Sequence, residues 1–502
     1  MAAPAHRPTT HQPRRLSEAA AFLGVAAPAE DPELTGIAQD SRRAQPGDLY
    51  VARPGEFAHG AQFADKARAN GAVAALTDEA GQEDCVRAGL PTLVVGDPRQ
   101  LLGTISAWVY GDPADALTLL GITGTNGKTT TSYLVDAALR AAGNGTGLIG
   151  TIETRIGDDV EVSARTTPEA PDLHALFAVM RERGVTAATM EVSSHALTLG
   201  RVDGVRFDVA GFTNLSQDHL EIHGDMESYY AAKASLFGKD RAQLGVVNVD
   251  DAAGALLAAE AEIEIVTVSP SGDPAANWRA SDVALEPTGV AFDVHGPDDT
   301  RLRVSLGIPG EFNVANGLVA VAMLHAVGID GAAIVRGLAT ATVPGRMERI
   351  QAGQAFTAIV DYAHTPDAIE RVLATVRPLT EGRVIAVVGC GGDRDQSKRP
   401  LMGAAAANGA DVAVITDDNP RSEDPAAIRA AAIAGAKGRA EVVEIGGRRE
   451  AIGWALDTAR QGDTVVVLGK GHELGQEIAG IVHPFDDRQV VLEQLRRMEE
   501  RS

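Results

Sequence analysis

Short apolar or β-branched runs recur along the chain, each ending in glycine or a polar loop and followed by a segment of helical character. Residues 117–120 lead into a glycine loop and a helical stretch at 132–142, and residues 384–388 lead through Gly389 to 400–408. Residues 412–416 precede a polar loop and a helical stretch at 425–434, while 465–468 end in Gly469-Lys470-Gly471. A short run bounded by glycine is a buried strand, and its alternation with helices predicts an α/β chain with mostly parallel sheets. Residues 270–305 instead alternate polar and apolar positions, which predicts antiparallel strands. In parallel sheets ligands gather beyond the carboxyl ends of strands, so the chemistry is sought in the loops just named.

Two turn-forming stretches divide the pattern, Gly111-Asp112-Pro113 and Pro344-Gly345. They delimit an N-terminal domain over 1–112, a central domain over 113–344 and a C-terminal domain over 345–502. At about 150 residues per domain, three is also what the length suggests.

Composition narrows the function classes. The 502 residues are 45% hydrophobic and 23% charged, ordinary for a globular chain, with only 4% aromatic, so the cores are expected to be Ala, Val, Leu and Ile. A net charge of −23 argues against a binder of nucleic acid or anionic membrane. Cys85 and Cys390 form no CxxC pair, which fits a reducing cytoplasm. The first fifteen residues lack the apolar core of a secretory signal, and the first dozen are expected to be disordered. No apolar run reaches the roughly 18 residues of a membrane span.

The most informative segment is Gly121-Ile-Thr-Gly124-Thr125-Asn126-Gly127-Lys128-Thr129-Thr130, placed between a strand and a helix. Glycines there let backbone N–H groups close around phosphate oxygens, and the helix N-terminus adds positive potential. Lys128 is placed to reach the β- and γ-phosphates and the Thr129 hydroxyl to ligate Mg²⁺. The segment departs from the usual phosphate-loop pattern, whose first glycine would fall at Ile122, and the competing reading is a plain glycine turn.

The loop resembles that of the Mur ligases and their relatives, the folylpolyglutamate synthetases. Further segments match in order: Glu191-Val-Ser-Ser-His195, Asn214-Leu-Ser-Gln-Asp-His219-Leu-Glu-Ile-His-Gly224, Tyr230-Ala-Ala-Lys233, Asn313-Val-Ala-Asn316, Pro344-Gly-Arg346-Met-Glu348 and Asp361-Tyr-Ala-His364-Thr-Pro366. The resemblance implies a UDP-sugar-binding domain, a central P-loop ATPase sheet and a Rossmann-like domain for an incoming amino acid. It also implies an ADP-forming ligase in peptidoglycan synthesis, in which ATP activates a carboxylate as an acyl phosphate and an amine displaces the phosphate.

On the same basis Thr129, Glu191 and His219 are expected to hold Mg²⁺, with Lys233 carbamylated by CO₂ to help hold a second ion. Without the resemblance, Lys233 would read as an exposed helix lysine, and His219-Leu-Glu-Ile-His223 as a weak zinc motif lacking a third ligand. His223 is more simply structural. Asn313 and Asn316, three apart on one helix face, with Arg346 and Asp361 from the next domain, are the expected ATP contacts; His364 reads equally as a nucleotide contact or as packing. Asp40-Ser41-Arg42 and His59-Gly60 resemble uridine-side positions, and Thr166, Thr167, Ser193 and Arg201 those holding the muramoyl peptide.

Asp418-Asn419-Pro420-Arg421 looks like the motif of ligases that select meso-diaminopimelate. Arg421 and Arg394 are then expected on its carboxylate, and Glu473, in Gly469-Lys-Gly-His-Glu473, on the distal ammonium. The expected partners are small molecules only: ATP, a UDP-muramoyl-dipeptide and diaminopimelate, handled by a monomer. Lysine in place of diaminopimelate, a folylpolyglutamate synthetase, a P-loop motor or switch, and a non-catalytic nucleotide module are the rival readings.

Overall fold

The computed structural model describes residues 6–10, 12–218, 220–286 and 289–499. Three sheets follow one another along the chain. Near the N-terminus, strands Gly36–Ala38, Asp48–Ala52, Ala74–Thr77 and Thr92–Val94 pair in parallel and in sequence order. The largest sheet runs, edge to edge, Asp159–Val162, Glu153–Ile156, Thr146–Ile149, Ala187–Glu191, Thr118–Thr123, Phe207–Phe212, Ala242–Asn248, Glu264–Ser269, Trp278–Glu286, Gly289–His295, Arg301–Leu306. Its middle is parallel, and the last three strands form the expected antiparallel ribbon. The third sheet runs Glu348–Ile350, Thr357–Asp361, Thr464–Leu468, Val384–Cys390, Val412–Asp417, Glu441–Glu444, parallel except at its first pair.

The central strands are apolar on both faces because helices cover both. Helix Phe312–Ala326 and helix Lys128–Ala141 bury Leu318, Val319, Met323, Leu134 and Val135 against one face of the large sheet. Phe177 and Met180, from helix Ala170–Glu182, cover the other. Each expected strand–loop–helix unit is present, with longer strands: 117–120 becomes Thr118–Thr123, and its helix begins at Lys128 rather than 132.

Of the first dozen residues, expected to be disordered, 6–10 and 12 are described. The Arg7 guanidinium donates to Asp48 Oδ2 at 2.7 Å and to the Tyr110 hydroxyl at 2.5 Å, anchoring the N-terminus on the first sheet. Residues 1–5 and 11 lie outside the described residues.

Both sequence boundaries are backbone turns. Gly111 and Asp112 have φ of 68° and 46°, and Gly345 and Met347 have 63° and 48°. The second turn is tightly packed: a Cβ at Gly345 would stand 2.2 Å from the His472 nitrogen, and one at Gly471 2.7 Å from the Gly345 oxygen. The carboxylate of Asp361 fixes it from below, accepting from the Met347 and Ala363 nitrogens at 2.7 and 2.8 Å. Among the described residues no helix is long and apolar enough to cross a membrane.

Candidate active site

Strand Thr118–Thr123 delivers residues 124–127 to its carboxyl end, where segment 213–216 holds them in a loop. The Thr125 and Asn126 nitrogens donate to the Asn214 carbonyl and side-chain oxygen at 2.9 and 3.0 Å, and Thr213 Oγ1 donates to the Asn126 carbonyl at 2.6 Å. Gly127 has φ of 87°, and a Cβ there would meet Asn316 Oδ1 at 2.2 Å, so glycine is required on both counts. Asn316 in turn donates to Asn313 Oδ1 at 2.9 Å, which places the expected asparagine pair, both buried, against the loop.

Two lysines converge here. Lys128 Nζ folds back onto the Gly124 and Thr125 carbonyls, each at 2.9 Å, and Lys233 Nζ donates to the same Gly124 carbonyl at 2.8 Å. Lys233 is only 1% exposed, unlike an ordinary lysine on a helix surface. Its ammonium lies 4.6 Å from the Tyr229 ring centroid. Burial, and then the neighbouring Lys128 charge, push its pKa well below the ordinary lysine value, with Asp218 opposing.

Glu191 ends strand Ala187–Glu191 fully buried, accepting from Thr129 Oγ1 at 3.0 Å, from the Thr151 nitrogen at 2.7 Å and from Thr151 Oγ1 at 3.0 Å. Thr130 follows in the first helical turn, also buried. Arg346 reaches Thr129 Oγ1 from across the turn at 3.3 Å, its guanidinium 4.4 Å from the Tyr362 ring centroid. Hydroxyl and carboxylate oxygens with no thiolate make a hard donor set, which fits Mg²⁺. His219 lies outside the described residues. His223 bonds Ser194 Oγ at 3.0 Å and packs on Tyr229, a structural placement. His364 packs on Tyr362, with Nδ1 on the Tyr362 carbonyl at 2.9 Å.

The four residues expected at the muramoyl peptide come together beside Glu191. Thr167 Oγ1 donates to the Glu191 carbonyl at 2.9 Å and accepts from the Ser193 nitrogen at 3.2 Å. Thr166 Oγ1 meets Thr151 Oγ1 at 3.0 Å, and Arg201 donates to the Thr167 carbonyl at 3.3 Å while pairing with Glu169 at 2.8 Å. Glu169 also accepts from Gln39 at 3.1 Å, and Gln39 from Arg53 at 3.1 Å, which joins the first sheet to this cluster. Ser41 stands beyond that link. It is buried, its carbonyl accepts from Asn70 at 2.7 Å, and among the described residues it makes no hydrogen bond to the cluster. Arg42 pairs with Asp40 and His59 with Asp78, at 2.6 and 3.0 Å.

In the third sheet the loops after strands Val412–Asp417 and Thr464–Leu468 meet. A Cβ at Gly469, whose φ is 117°, would stand 2.8 Å from Asp418 Oδ2. Between the loops lies Lys470, fully buried, its Nζ on Glu473 Oε2 at 2.8 Å, Asn419 Oδ1 at 3.0 Å and Asp418 Oδ1 at 3.4 Å. Asn419 donates to the same Glu473 oxygen at 2.9 Å. Arg421, at φ 52°, donates to the Gly392 carbonyl at 2.6 Å and pairs with Glu477 at 3.3 Å. Arg394 flanks it across Gly391, exposed and without an ion pair among the described residues. Both arginines thus flank Gly391, and Arg421 already holds an internal anion.

Beside the Arg346–Thr129 contact, an ion pair links the two halves. Lys398, at the start of helix Lys398–Gly409, pairs with Asp218 at 2.6 Å. The chain before Lys398 bears Arg394 and touches Arg421; Asp218 belongs to the segment that holds the phosphate loop. Lys470, Thr151, Tyr229, Glu477 and this ion pair were not singled out from sequence. Only Lys470, a lysine between two glycines at a strand end, carried a local signal.

Comparison with known proteins agrees with this geometry. Residues 33–110 match the Mur ligase family catalytic domain, 122–324 the Mur ligase middle domain and 345–471 the Mur ligase glutamate ligase domain. The chain is 54% identical over 497 residues to a UDP-N-acetylmuramoyl-L-alanyl-D-glutamate–2,6-diaminopimelate ligase of Streptomyces coelicolor, covering 98% of each. To the protein of that name in Corynebacterium glutamicum it is 50% identical over 472 residues, covering 91% of each. A solved structure of a ligase of this name superposes with a TM-score of 0.68 at 32% identity, over 97% of this chain and 100% of that one.

Proposed function

Because the chain belongs to the Mur ligase family, we propose that it uses ATP to join meso-diaminopimelate to UDP-N-acetylmuramoyl-L-alanyl-D-glutamate, in the cytoplasmic stage of peptidoglycan precursor synthesis. The observation that carries this reading is the Lys398–Asp218 pair at 2.6 Å, which joins the chain just beyond the phosphate-loop segment to the helix that follows Arg394. In this reading a carboxylate activated on one side meets an amine held on the other.

In this reading residues 1–112 bind the UDP-sugar, with Ser41 on the uridine side; 113–344 bind ATP; and 345–502 bind the amino acid. The backbone of Gly124, Thr125, Asn126 and Gly127 with Lys128, Thr129 and Thr130 cradles the phosphates. Asn313, Asn316, Arg346 and Asp361 complete the nucleotide side. Lys128 leaves the Gly124 and Thr125 carbonyls for phosphate oxygens, exchanging two neutral acceptors for anions. Thr129 and Glu191, with His219, would hold Mg²⁺, which when bound offsets the negative charge between the nucleotide and the incoming carboxylate. Lys233 is suited to carbamylation: its depressed pKa favours the neutral amine that reacts with CO₂, and the product carbamate is an oxygen donor.

Thr166, Thr167, Ser193 and Arg201 orient the dipeptide. Arg201 exchanges Glu169 for a substrate carboxylate, which attacks the γ-phosphorus; ADP leaves and an acyl phosphate forms. The amine of the amino acid, held by Arg394, Asp418, Asn419, Arg421, Gly469 and Glu473, adds to the acyl carbon. Phosphate departs with the acyl C–O bond, leaving an amide and releasing a proton. Holding reactants in one cleft converts a termolecular encounter into an intramolecular step.

The test is phosphate release from ATP plus UDP-muramoyl-dipeptide, with diaminopimelate, L-lysine or glutamate offered in turn. Turnover with diaminopimelate alone supports the reading. Turnover with lysine or glutamate in preference, or with none of the three, overturns it.

A further inference from the structure

Selecting a diamino diacid over a diamino monoacid is usually explained by an arginine that would otherwise lack an anion. Here that explanation is incomplete, because Arg421 has one. Glu477 Oε2 lies 3.3 Å from Arg421 Nε, and the pair is partly open to solvent, 39% and 21% exposed. The contact is built in by backbone: the Arg421 nitrogen donates to the Glu477 carbonyl at 3.0 Å, the Ala479 nitrogen to the Arg421 carbonyl at 2.7 Å, and the Glu477 nitrogen to Asn419 Oδ1 at 3.0 Å. The hairpin of Gly475–Ile478 and Ile481–Pro484 thus lies along the Asp418–Arg421 loop, carrying a carboxylate to its guanidinium.

From this geometry we infer that Glu477 is a specificity-determining residue that narrows the preference for the diacid: its carboxylate occupies Arg421 in the place of the substrate's distal carboxylate and must be displaced by it. The inference rests on the proposed diaminopimelate reading. The other charges near the loop bear this out by contrast. Lys470 is fully buried among Asp418, Asn419 and Glu473 and has no path to leave. Arg421 is also held by the Gly392 carbonyl at 2.6 Å, so it stays in place when its anion changes. Glu477 alone combines a partner the substrate can claim with a side chain free to turn into solvent. Its effect on an amino acid that ends in an ammonium alone is opposite, since that group has no claim on Arg421 and gains from a nearby carboxylate.

The experiment is steady-state kinetics with each substrate varied in turn, and calorimetric binding of diaminopimelate and L-lysine in the presence of UDP-muramoyl-dipeptide and a non-hydrolysable ATP analogue, on the full-length protein and its Glu477→Gln and Glu477→Ala variants. Removing a partly exposed competitor should lower KM and Kd for diaminopimelate about three- to fivefold, without lowering KM for lysine and without changing KM for ATP. Both variants keep the hairpin's backbone bonds, and an unchanged melting temperature verifies this. A rise in KM for diaminopimelate would mean that Glu477 positions Arg421, and no change that it is a bystander; an equal fall for lysine would remove the selective role. Any of the three overturns the inference while leaving the functional reading intact, whereas a wild-type protein inactive with diaminopimelate overturns that reading and the inference with it.

Discussion

Lys128 and Lys233 donate to one and the same acceptor, the carbonyl of Gly124, at 2.9 and 2.8 Å. Two amines on one neutral oxygen, Lys233 buried and Lys128 half-buried, make a site that resists carrying two positive charges. Burial lowers both pKa values, and each feels the surrounding acids: Glu191 and Asp218 partly restore Lys128, and Asp218 partly restores Lys233. Lys233 yields further, since it also faces the Lys128 charge.

A stability prediction follows with a definite sign. The unfolded chain binds a proton at an ordinary lysine, near 10.5, while the folded chain releases it at lower pH. Between those values the unfolded state holds more protons, so this residue's contribution to stability rises with pH, and its full penalty is present below the folded value. In CO₂-free buffer Lys233→Met should therefore melt above wild type on the acid side, the gap closing as pH approaches the ordinary lysine value. Thermal melts of both proteins across pH check this.

The same residue predicts a dependence on CO₂. Stripping dissolved CO₂ should lower ligase turnover, and added bicarbonate should restore it in wild type but not in Lys233→Met. Phosphate release measured in degassed and bicarbonate-supplemented buffers is the readout, and native intact mass reports the adduct directly.

Lys398→Met should act on catalysis more than on folding. Besides its bond to Asp218, one apolar cluster running from Leu120 and Leu318 to Ile369 and Val388 holds the two sheets together, so the melting temperature should move little. Loss of a partly buried pair worth about 1–2 kcal/mol lowers kcat/KM roughly fivefold to thirtyfold. Kinetics with each of the three substrates varied in turn locates the loss in the assembled complex rather than in ATP binding alone.

Arg421→Ala should lower kcat/KM for diaminopimelate about a hundredfold or more, the cost of removing a charged partner from a desolvated carboxylate. The ATP KM should be unchanged, because Arg421 touches Gly392 and Glu477 and not the phosphate loop.

Arg448 and Asp487 form a fully buried pair at 2.6 Å, and the arginine also donates to the Leu468 and Asp417 carbonyls at 3.0 and 3.4 Å. Those residues immediately precede Gly469 and Asp418, so the pair ties together the strand ends that carry the amino-acid loops. Arg448→Met strands a buried carboxylate and should cost about 3–5 kcal/mol. The double variant Arg448→Met/Asp487→Leu should recover much of this in denaturant unfolding.

The legible part of the fold was what local pattern controls. The glycine at each strand end and the polar loop after it marked the βα units, and the polar–apolar alternation of 270–305 marked the ribbon. Strand ends were placed short because Gly121 and Gly389 were taken as stops. The neighbouring strands continue the pairing past both, through Met190 and Ala210 at Gly121 and through Thr416 at Gly389. In the site, Lys128, Thr129, Glu191 and Lys233 were legible through motifs carried in short contiguous segments. The Lys398–Asp218 pair was not, since its members lie 180 residues apart and each reads as an ordinary surface charge. Glu477 was missed for the same reason: only the hairpin's return onto the Asp418–Arg421 loop gives it a role. Arg7 was read as part of a loose tail because nothing local shows that Asp48 and Tyr110 await it.

The close packing of Gly345 on Gly471 leaves no room for a side chain on either one. A substitution at one glycine would therefore push on the other's segment, and the turn that carries Arg346 and the loop that carries Lys470 and Glu473 would be disturbed together.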